Sequence, residues 1–286
     1  MASELRIAFE GAARTVTGSR HWIRWGERNW LFDCGLYQGR RDDAERINRA
    51  FRFDPAALDG VVISHAHLDH IGNLPTLSAA GYAGAIHATS ATNDLARVML
   101  PDSAFLMERD LSHVNKHGRS VPPRKPLYTM ADVERVLAAL RPTKYHEPWS
   151  LAEGMSVEMF DAGHILGAAI TVFEFSANGK KFRLGMGGDL GRAKRPILRD
   201  PETIPGVDVL VLESTYGDRL HGDPADNERE LAEIVRRTAA RGGRLLVPAF
   251  AVGRTQEVVA TLHALVERKE IPELPIYVDS PLASRT

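Results

Sequence analysis

Six consecutive residues, His65-Ala66-His67-Leu68-Asp69-His70, set the terms for the rest of this 286-residue chain. Three of its 11 histidines and a carboxylate fall in that window. The apolar, β-branched run Gly60-Val61-Val62-Ile63-Ser64 before it reads as a buried strand. Ile71-Gly72-Asn73-Leu74-Pro75 after it opens a helix that ends near Gly81. The window is therefore a strand-to-helix loop, where chemistry is usually placed. In extended backbone, residues two apart point the same way, so His65 and His67 can bite one ion together. Asp69 and His70 fall where the chain turns and can face a second ion. Imidazole nitrogen and carboxylate oxygen are the ligands a zinc-type ion takes. The competing reading is a histidine-rich surface loop; four ligand-type residues at this spacing behind a buried strand argue against it.

Composition narrows the class. The chain is 44% apolar and 26% charged, as soluble globular proteins are. Its length allows one large domain or two modest ones. Its one cysteine, Cys34, permits no disulfide within the chain and suits a reducing cytoplasm. No run approaches the roughly 18 apolar residues of a membrane helix. The first residues, Met1 to Arg6, lack the layout of a signal peptide. A formal net charge of −1 means that any nucleic-acid surface is a local patch.

Leu5 to Phe9 alternates like a half-buried strand, and Gly11 to Gly18 is a loop. His21 to Trp25 and Asn29 to Asp33 flank Gly26-Glu27-Arg28 as a hairpin ending in Asp33-Cys34-Gly35. Residues 40–52, rich in Arg and Asp, form an exposed loop or helix. Ala85 to Ala88 is a short strand with His87 packed, and a helix starts at about residue 91. A second helix covers 103–117; His113 and His117 share a face there but no carboxylate joins them, so they read as surface residues. Arg119 to Pro126 is a basic, Pro-rich loop, either a phosphate contact or a connector. Thr129 to Asp132 fits a capping box, and Val133, Val136, Leu137 and Leu140 form an apolar helical face.

Ser156 to Phe160 is a strand that delivers Asp161-Ala162-Gly163-His164-Ile165-Leu166-Gly167. Its glycines let the backbone turn tightly. Ile170 to Phe175 and Lys181 to Met186 bracket Asn178-Gly179, a strong hairpin signal. The second of these strands ends in Gly187-Gly188-Asp189-Leu190-Gly191. Arg192, Lys194, Arg195 and Arg199 follow, either holding phosphates or lying on a solvated loop. Asp208 to Gly217 reads as a buried strand ending in polar residues. Leu231, Ile234, Val235 and Thr238 share a helix face that ends at Gly242-Gly243. Arg244 to Val247 is a strand, Pro248 to Glu257 leads into a helix with Val258, Val259, Leu262, Leu265 and Val266 inward, and Ile276 to Asp279 is a further strand. This alternation argues for a parallel sheet unit. Arg254, at a helix start, is placed for a phosphate.

HAHLDH fits the HxHxDH signature of the metallo-β-lactamase fold hydrolases. LESTYGDR, PAFAVGRTQE and YVDSPLA resemble the β-CASP branch, the RNA-processing nucleases related to ribonuclease J and to the cleavage-and-polyadenylation endonuclease. The resemblance implies an α/β fold: a metallo-β-lactamase αββα sandwich over residues 1–217, then the first half of an inserted β-CASP parallel α/β domain over 218–286. It implies two zinc ions, or another divalent metal. His65, His67, His164 and Asp189 would hold the first; Asp69, His70 and the shared Asp189 would hold the second. Asp33 would orient the site and Glu213 would be the acidic member of the branch-specific motif, so Asp69, Asp189, Glu213 and Asp33 form the expected catalytic set. Without the resemblance, Asp33 would read as a solvated strand-end residue.

The implied function is hydrolysis of RNA phosphodiester bonds by water activated at the metal site. The implied partner is single-stranded RNA, held by Arg192, Lys194, Arg195 and Arg254. A second copy of the chain is a further candidate partner; a membrane is not. The family chain returns from its insertion with two more histidine motifs, one of them a ligand of the second metal. Neither is found here, and His221 and His263 lack a matching context, so the expectation is a fragment. Two rival functions are a metallo-hydrolase of a small ester, thioester or lactone, and a non-catalytic RNA-binding scaffold. LESTYGDR and PAFAVGRTQE argue against the first, and the intact metal motifs against the second.

Overall fold

The half-buried N-terminal run becomes the edge of a six-stranded sheet. A computed structural model describes residues 4–117, 123–220, 222 and 224–286. The sheet runs β1 (Leu5–Gly11), β2 (Arg20–Trp25), β3 (Arg28–Phe32), β4 (Gly60–Val62), β5 (Ile86–Thr89) and β6 (Leu140–Thr143), in that order. The first three strands are antiparallel and the rest join in parallel. Between them lie α1 (Arg41–Arg49), α2 (Leu68–Ile71), α3 (Leu74–Ala79), α4 (Ser90–His117) and α5 (Met130–Ala139). A five-stranded sheet follows from β7 (Trp149–Ala152), β8 (Met155–Asp161), β9 (Ala169–Ala177), β10 (Lys180–Met186) and β11 (Val209–Val211), with β11 parallel to β10 and the others antiparallel. α6 (Pro224–Ala240) and α7 (Arg254–Glu267) complete the chain.

Strand alternation builds the layers. Ile23, Trp30, Phe32 and Val62 from the first sheet meet Val157, Met159, Phe173, Leu184 and Met186 from the second in one buried cluster. Alternate residues of the first sheet, Leu31, Val61, Ile63 and Ile86, point the other way into a core made with Leu77, Leu100, Val133 and Val136 of α3, α4 and α5. The result is the expected α/β sandwich. On the outer face of the second sheet Ile204 and Val207 pack near Gly185, where a Cβ would touch both. Asn178 and Gly179 both take positive φ, 54° and 74°, as the two-residue turn between β9 and β10 requires. The Thr129 capping box at the start of α5 is present with both of its bonds.

Several elements differ from the sequence expectation. Two helices were expected over 91–117; one 28-residue helix, α4, runs through Pro101. Its Met99, Leu100, Ser103 and Ala104 bury one continuous face, which outweighs the roughly 3 kcal/mol cost of an internal proline. β6 and β7 carry little strand signal. β6 follows α5 directly and contains Pro142, which an edge strand tolerates. The run at 208–217 is not a buried strand: only Val209–Val211 pair, at the sheet edge, and Leu210 is 50% exposed. Residues 244–247 and 276–279 form no strand. A strand needs a neighbour to satisfy its backbone, and these segments have no ladder partner among the described residues. α6 and α7 pack on each other through Ala232, Val235 and Leu265, without the expected parallel sheet between them. His221 and residues 119–122 of the basic loop lie outside the described residues.

Candidate metal centre

Parallel pairing of β3 with β4 brings Asp33 beside the residues that follow Val62. The Asp33 N–H donates to the Val62 carbonyl at 2.9 Å, and Cys34 N–H donates to the His70 carbonyl at 2.8 Å. Gly35 permits this approach, because a Cβ there would overlap the Asp69 carbonyl. His67 caps α2, so Asp69 and His70 sit in its single turn. His164 stands in the loop joining β8 to β9, which Ala162 N–H closes onto the Ala168 carbonyl at 2.9 Å. Asp189 follows β10. The Ala169 N–H donates to the Ser64 carbonyl at 2.8 Å, tying the ends of the two sheets together beneath the site.

Four ligand atoms converge, from His65, His67, His164 and Asp189, all within 4.8 Å of one another. His65 Nε2 lies 3.0 Å from His67 Nδ1, which lies 3.2 Å from His164 Nε2. Asp189 Oδ2 lies 3.5 Å from His164 Nε2 and 3.9 Å from His65 Nε2. A tetrahedral ion with bonds of about 2.0–2.1 Å spaces its ligands by about 3.3 Å, so this donor set fits a metal ion. The other carboxylate oxygen, Asp189 Oδ1, faces His70 Nε2 at 3.1 Å, and Asp69 Oδ2 lies 3.9 Å from the same nitrogen. Asp189 thus looks into both groups of side chains.

Asp33 fixes the imidazoles from behind. It is fully buried, and its Oδ2 accepts from His70 Nδ1 at 2.7 Å, Ser64 Oγ at 2.9 Å and Ser19 Oγ at 3.2 Å. Its Oδ1 accepts from Ser64 N–H at 2.8 Å. Ser64 Oγ spends its proton on Asp33, so it must accept from His65 Nδ1, 3.0 Å away. One carboxylate thereby orients two rings, directly at His70 and through Ser64 at His65. In His65, Nδ1 carries the proton and Nε2 keeps its lone pair towards the site; in His70, Asp33 holds the Nδ1 proton, so that Nε2 is the nitrogen turned to the site.

Electrostatics separates the histidines. Burial, and then the neighbouring rings, hold His65 well below its usual range. Burial also lowers His67 and His164, each to about 4. These three rings are neutral and available as ligands. Burial opposes charge on His70 too, but Asp33 and Asp189 together raise it to about 10. Burial raises Asp69. For Asp189, burial acts upward but the His70 hydrogen bond and charge outweigh it, and the carboxyl is lowered.

The remaining candidates are spread around this centre. Glu213 accepts from Leu190 N–H at 3.3 Å and Thr215 N–H at 3.1 Å, which holds its carboxylate next to the Asp189 segment. Lys194 is exposed and Arg192 half-buried. Arg195 turns inward: Nη1 donates to the His164 carbonyl at 2.9 Å and Nη2 contacts Glu257. Arg254 Nη1 is 3.3 Å from Glu257 Oε2 and its side chain is 56% exposed. His113 and His117 are exposed, with their rings in tilted contact. His263 is exposed on α7.

Ser19, Ser64, Val252 and Glu257 join the centre without a sequence signal of their own. Serines are too common to signal a role. Val252 acts only through its main chain, which opposes the effect of burial on the His67 ring. Glu257 is an acid on an amphipathic helix, and only the tertiary structure reveals that it is 4% exposed.

A family model described as the metallo-beta-lactamase superfamily matches residues 21–163. Ribonuclease TTHA0252 of Thermus thermophilus is 39% identical over 281 residues, covering 98% of this chain and 59% of its own length. Transcription termination factor FttA of Methanocaldococcus jannaschii is 31% identical, covering 99% of this chain and 43% of its own. Cleavage and polyadenylation specificity factor 73 of Drosophila melanogaster is 30% identical, covering 98% of this chain and 39% of its own. The chain thus spans from about two-fifths to three-fifths of these relatives.

Proposed function

The chain belongs to the metallo-beta-lactamase superfamily, and from that premise we propose that it carries the metal centre of a β-CASP-type ribonuclease that hydrolyses single-stranded RNA. The convergence of three neutral imidazoles, one buried and two half-buried, with the split carboxylate of Asp189 carries the reading. Names of relatives that process RNA support the substrate class. We read residues 1–217 as the metal-binding domain and 218–286 as part of a β-CASP domain, supported by the separate small core of α6 and α7. Zinc is the proposed metal, since three His and one Asp suit it. Two ions are proposed, the second beside Asp69 and His70.

When bound, the metal supplies Lewis-acid charge stabilisation and makes water acidic enough to deprotonate near pH 7. The protein groups do the rest. Asp33 and Ser64 keep Nε2 of His65 and of His70 facing inward, by holding the proton at each Nδ1. Asp69, whose carboxyl is raised by burial, is placed to take the proton of the attacking water. The water oxygen bonds to phosphorus as the bond to the departing RNA oxygen breaks, and that oxygen leaves as a hydroxyl by taking a proton from solvent. Glu213, held by two main-chain N–H groups, is our candidate for steering the scissile phosphate region. Arg192, Lys194 and Arg254 offer positive charge for flanking phosphates. Arg195, already engaged inward, holds the site itself.

A cytoplasmic location is part of the proposal; the one cysteine, buried and free, supports it. Among the described residues no helix is long and apolar enough to cross a membrane. A homodimer is proposed only by the resemblance. The test is cleavage of labelled single-stranded RNA with added zinc, beside a small thioester and lactone and a His65→Ala/His67→Ala variant. Zinc-dependent RNA cutting lost in the variant supports the reading. Turnover of the small substrates alone, or metal-free RNA binding without cutting, would replace it with one of the rivals.

A further inference from the structure

Glu257 lies in the first turn of α7, far in sequence from every candidate ligand. It is 4% exposed, and a carboxylate so buried must be paired or it would be costly. Its partners are Arg195, in direct contact, and Arg254, whose Nη1 is 3.3 Å from Oε2. Arg195 is itself mostly covered, with 14% of its side chain exposed. Its second function is to donate from Nη1 to the His164 carbonyl at 2.9 Å. A charged donor makes this a strong hydrogen bond, and it acts on the main chain of the residue whose ring enters the metal centre. The turn before α7 reaches the same centre from another side. The Val252 main chain lies beside the His67 ring. Gly253, with φ +86°, packs so close to the His164 loop that a Cβ would lie 3.0 Å from Ile165 Cγ2.

We propose that Glu257 is a positioning residue of the metal centre: through Arg195 it clasps the His164 loop, so that metal affinity depends on α7. The inference rests on the metal reading above. Arg195 could satisfy the His164 carbonyl without Glu257 only as an uncompensated buried cation, so the two residues act as one unit. Removing Glu257 leaves Arg195 a buried cation without its carboxylate, and removing Arg195 leaves the buried Glu257 with only the largely exposed Arg254, whereas removing both leaves neither charge. The effects of the two single changes should therefore not add.

The experiment measures zinc affinity by chelator competition, and cobalt(II) absorption, on the whole chain. The variants are Glu257→Gln, Arg195→Ala and the double change Glu257→Gln/Arg195→Ala, at a temperature where all are folded by circular dichroism. Thr129→Ala, which lowers stability far from the clasp, is the control. Each single change is expected to weaken zinc binding about 10–100-fold, as loss of groups that orient metal ligands does. The double variant should be no worse than the weaker-binding single, and the cobalt bands should shift because His164 moves. Wild-type zinc affinity and cobalt bands in both single variants, or losses that simply add, would overturn the clasp while leaving the metal centre standing. A wild-type chain that binds neither metal would overturn both.

Discussion

Replacing Asp33 by Asn removes one oxygen, adds an amide and keeps the size, yet it should disable the metal centre. Asp33 has φ +58°, a left-handed conformation that Asn tolerates. With its carbonyl towards Ser64 N–H, the new NH2 takes the place of Oδ2 and faces three groups that now donate to it: His70 Nδ1, Ser64 Oγ and Ser19 Oγ. The hydroxyls can turn and accept. His70 can no longer give its Nδ1 proton to residue 33, so its one ring proton stays on Nε2, the nitrogen 3.1 Å from Asp189 Oδ1, and the lone pair it would give a metal is lost. Ser64 then donates towards His65 Nδ1, which pushes the His65 proton to Nε2, inside the four-ligand group. A reversed or orphaned buried hydrogen bond costs about 1–3 kcal/mol. On metal affinity this is about 10–100-fold, the usual effect of losing such a partner. Asp33→Ala should hurt stability more. It orphans Ser64 N–H and His70 Nδ1, together about 2–6 kcal/mol, and adds left-handed strain of about 1–2 kcal/mol. Urea unfolding gives the stability and elemental analysis after dialysis gives the metal. An Asp33→Asn chain with wild-type metal content would refute the proton-relay argument, and so would an Asp33→Ala chain as stable as wild type.

Thr129→Ala removes the capping box of α5 and should cost about 0.5–2 kcal/mol in urea unfolding; no loss would contradict the reciprocal bonds seen at Thr129 and Asp132. Cys34 is fully buried and burial pushes its thiol up to about 12, so a thiol reagent at pH 8 should modify it only after unfolding, and rapid labelling of the native chain would contradict the packing. Asp189→Ala removes the carboxylate that faces both groups of ligands while its own side chain is 29% exposed, so the fold should survive and metal binding and RNA cleavage should go together; cleavage that persists without metal would refute its shared role.

The metal-ligand candidates were legible because their signal is local. HAHLDH crowds four ligand-type residues behind a strand, and His164 and Asp189 each follow a strand in a glycine-flanked loop. Hairpins at Gly26 and at Asn178-Gly179 were legible for the same reason, since a turn is written in its own residues. What the chain does not spell out is pairing over distance. Ser64 gains its role from Asp33, and Glu257 from Arg195. Leu245 to Val247 and Ile276 to Val278 have the composition of strands, but composition cannot supply the neighbour that makes a strand, and both stand exposed. Pro101 misled in the opposite direction: a local break signal is overridden by the core that α4 covers.

The most direct test of the metal centre is an anomalous-difference map from crystals of the chain equilibrated with zinc. A peak is expected between His65 Nε2, His67 Nδ1, His164 Nε2 and Asp189 Oδ2, at about 2.0–2.2 Å from each, with a second beside His70 Nε2 and Asp69. A map with no peak among those four atoms, from crystals that bind zinc elsewhere or not at all, would contradict the account.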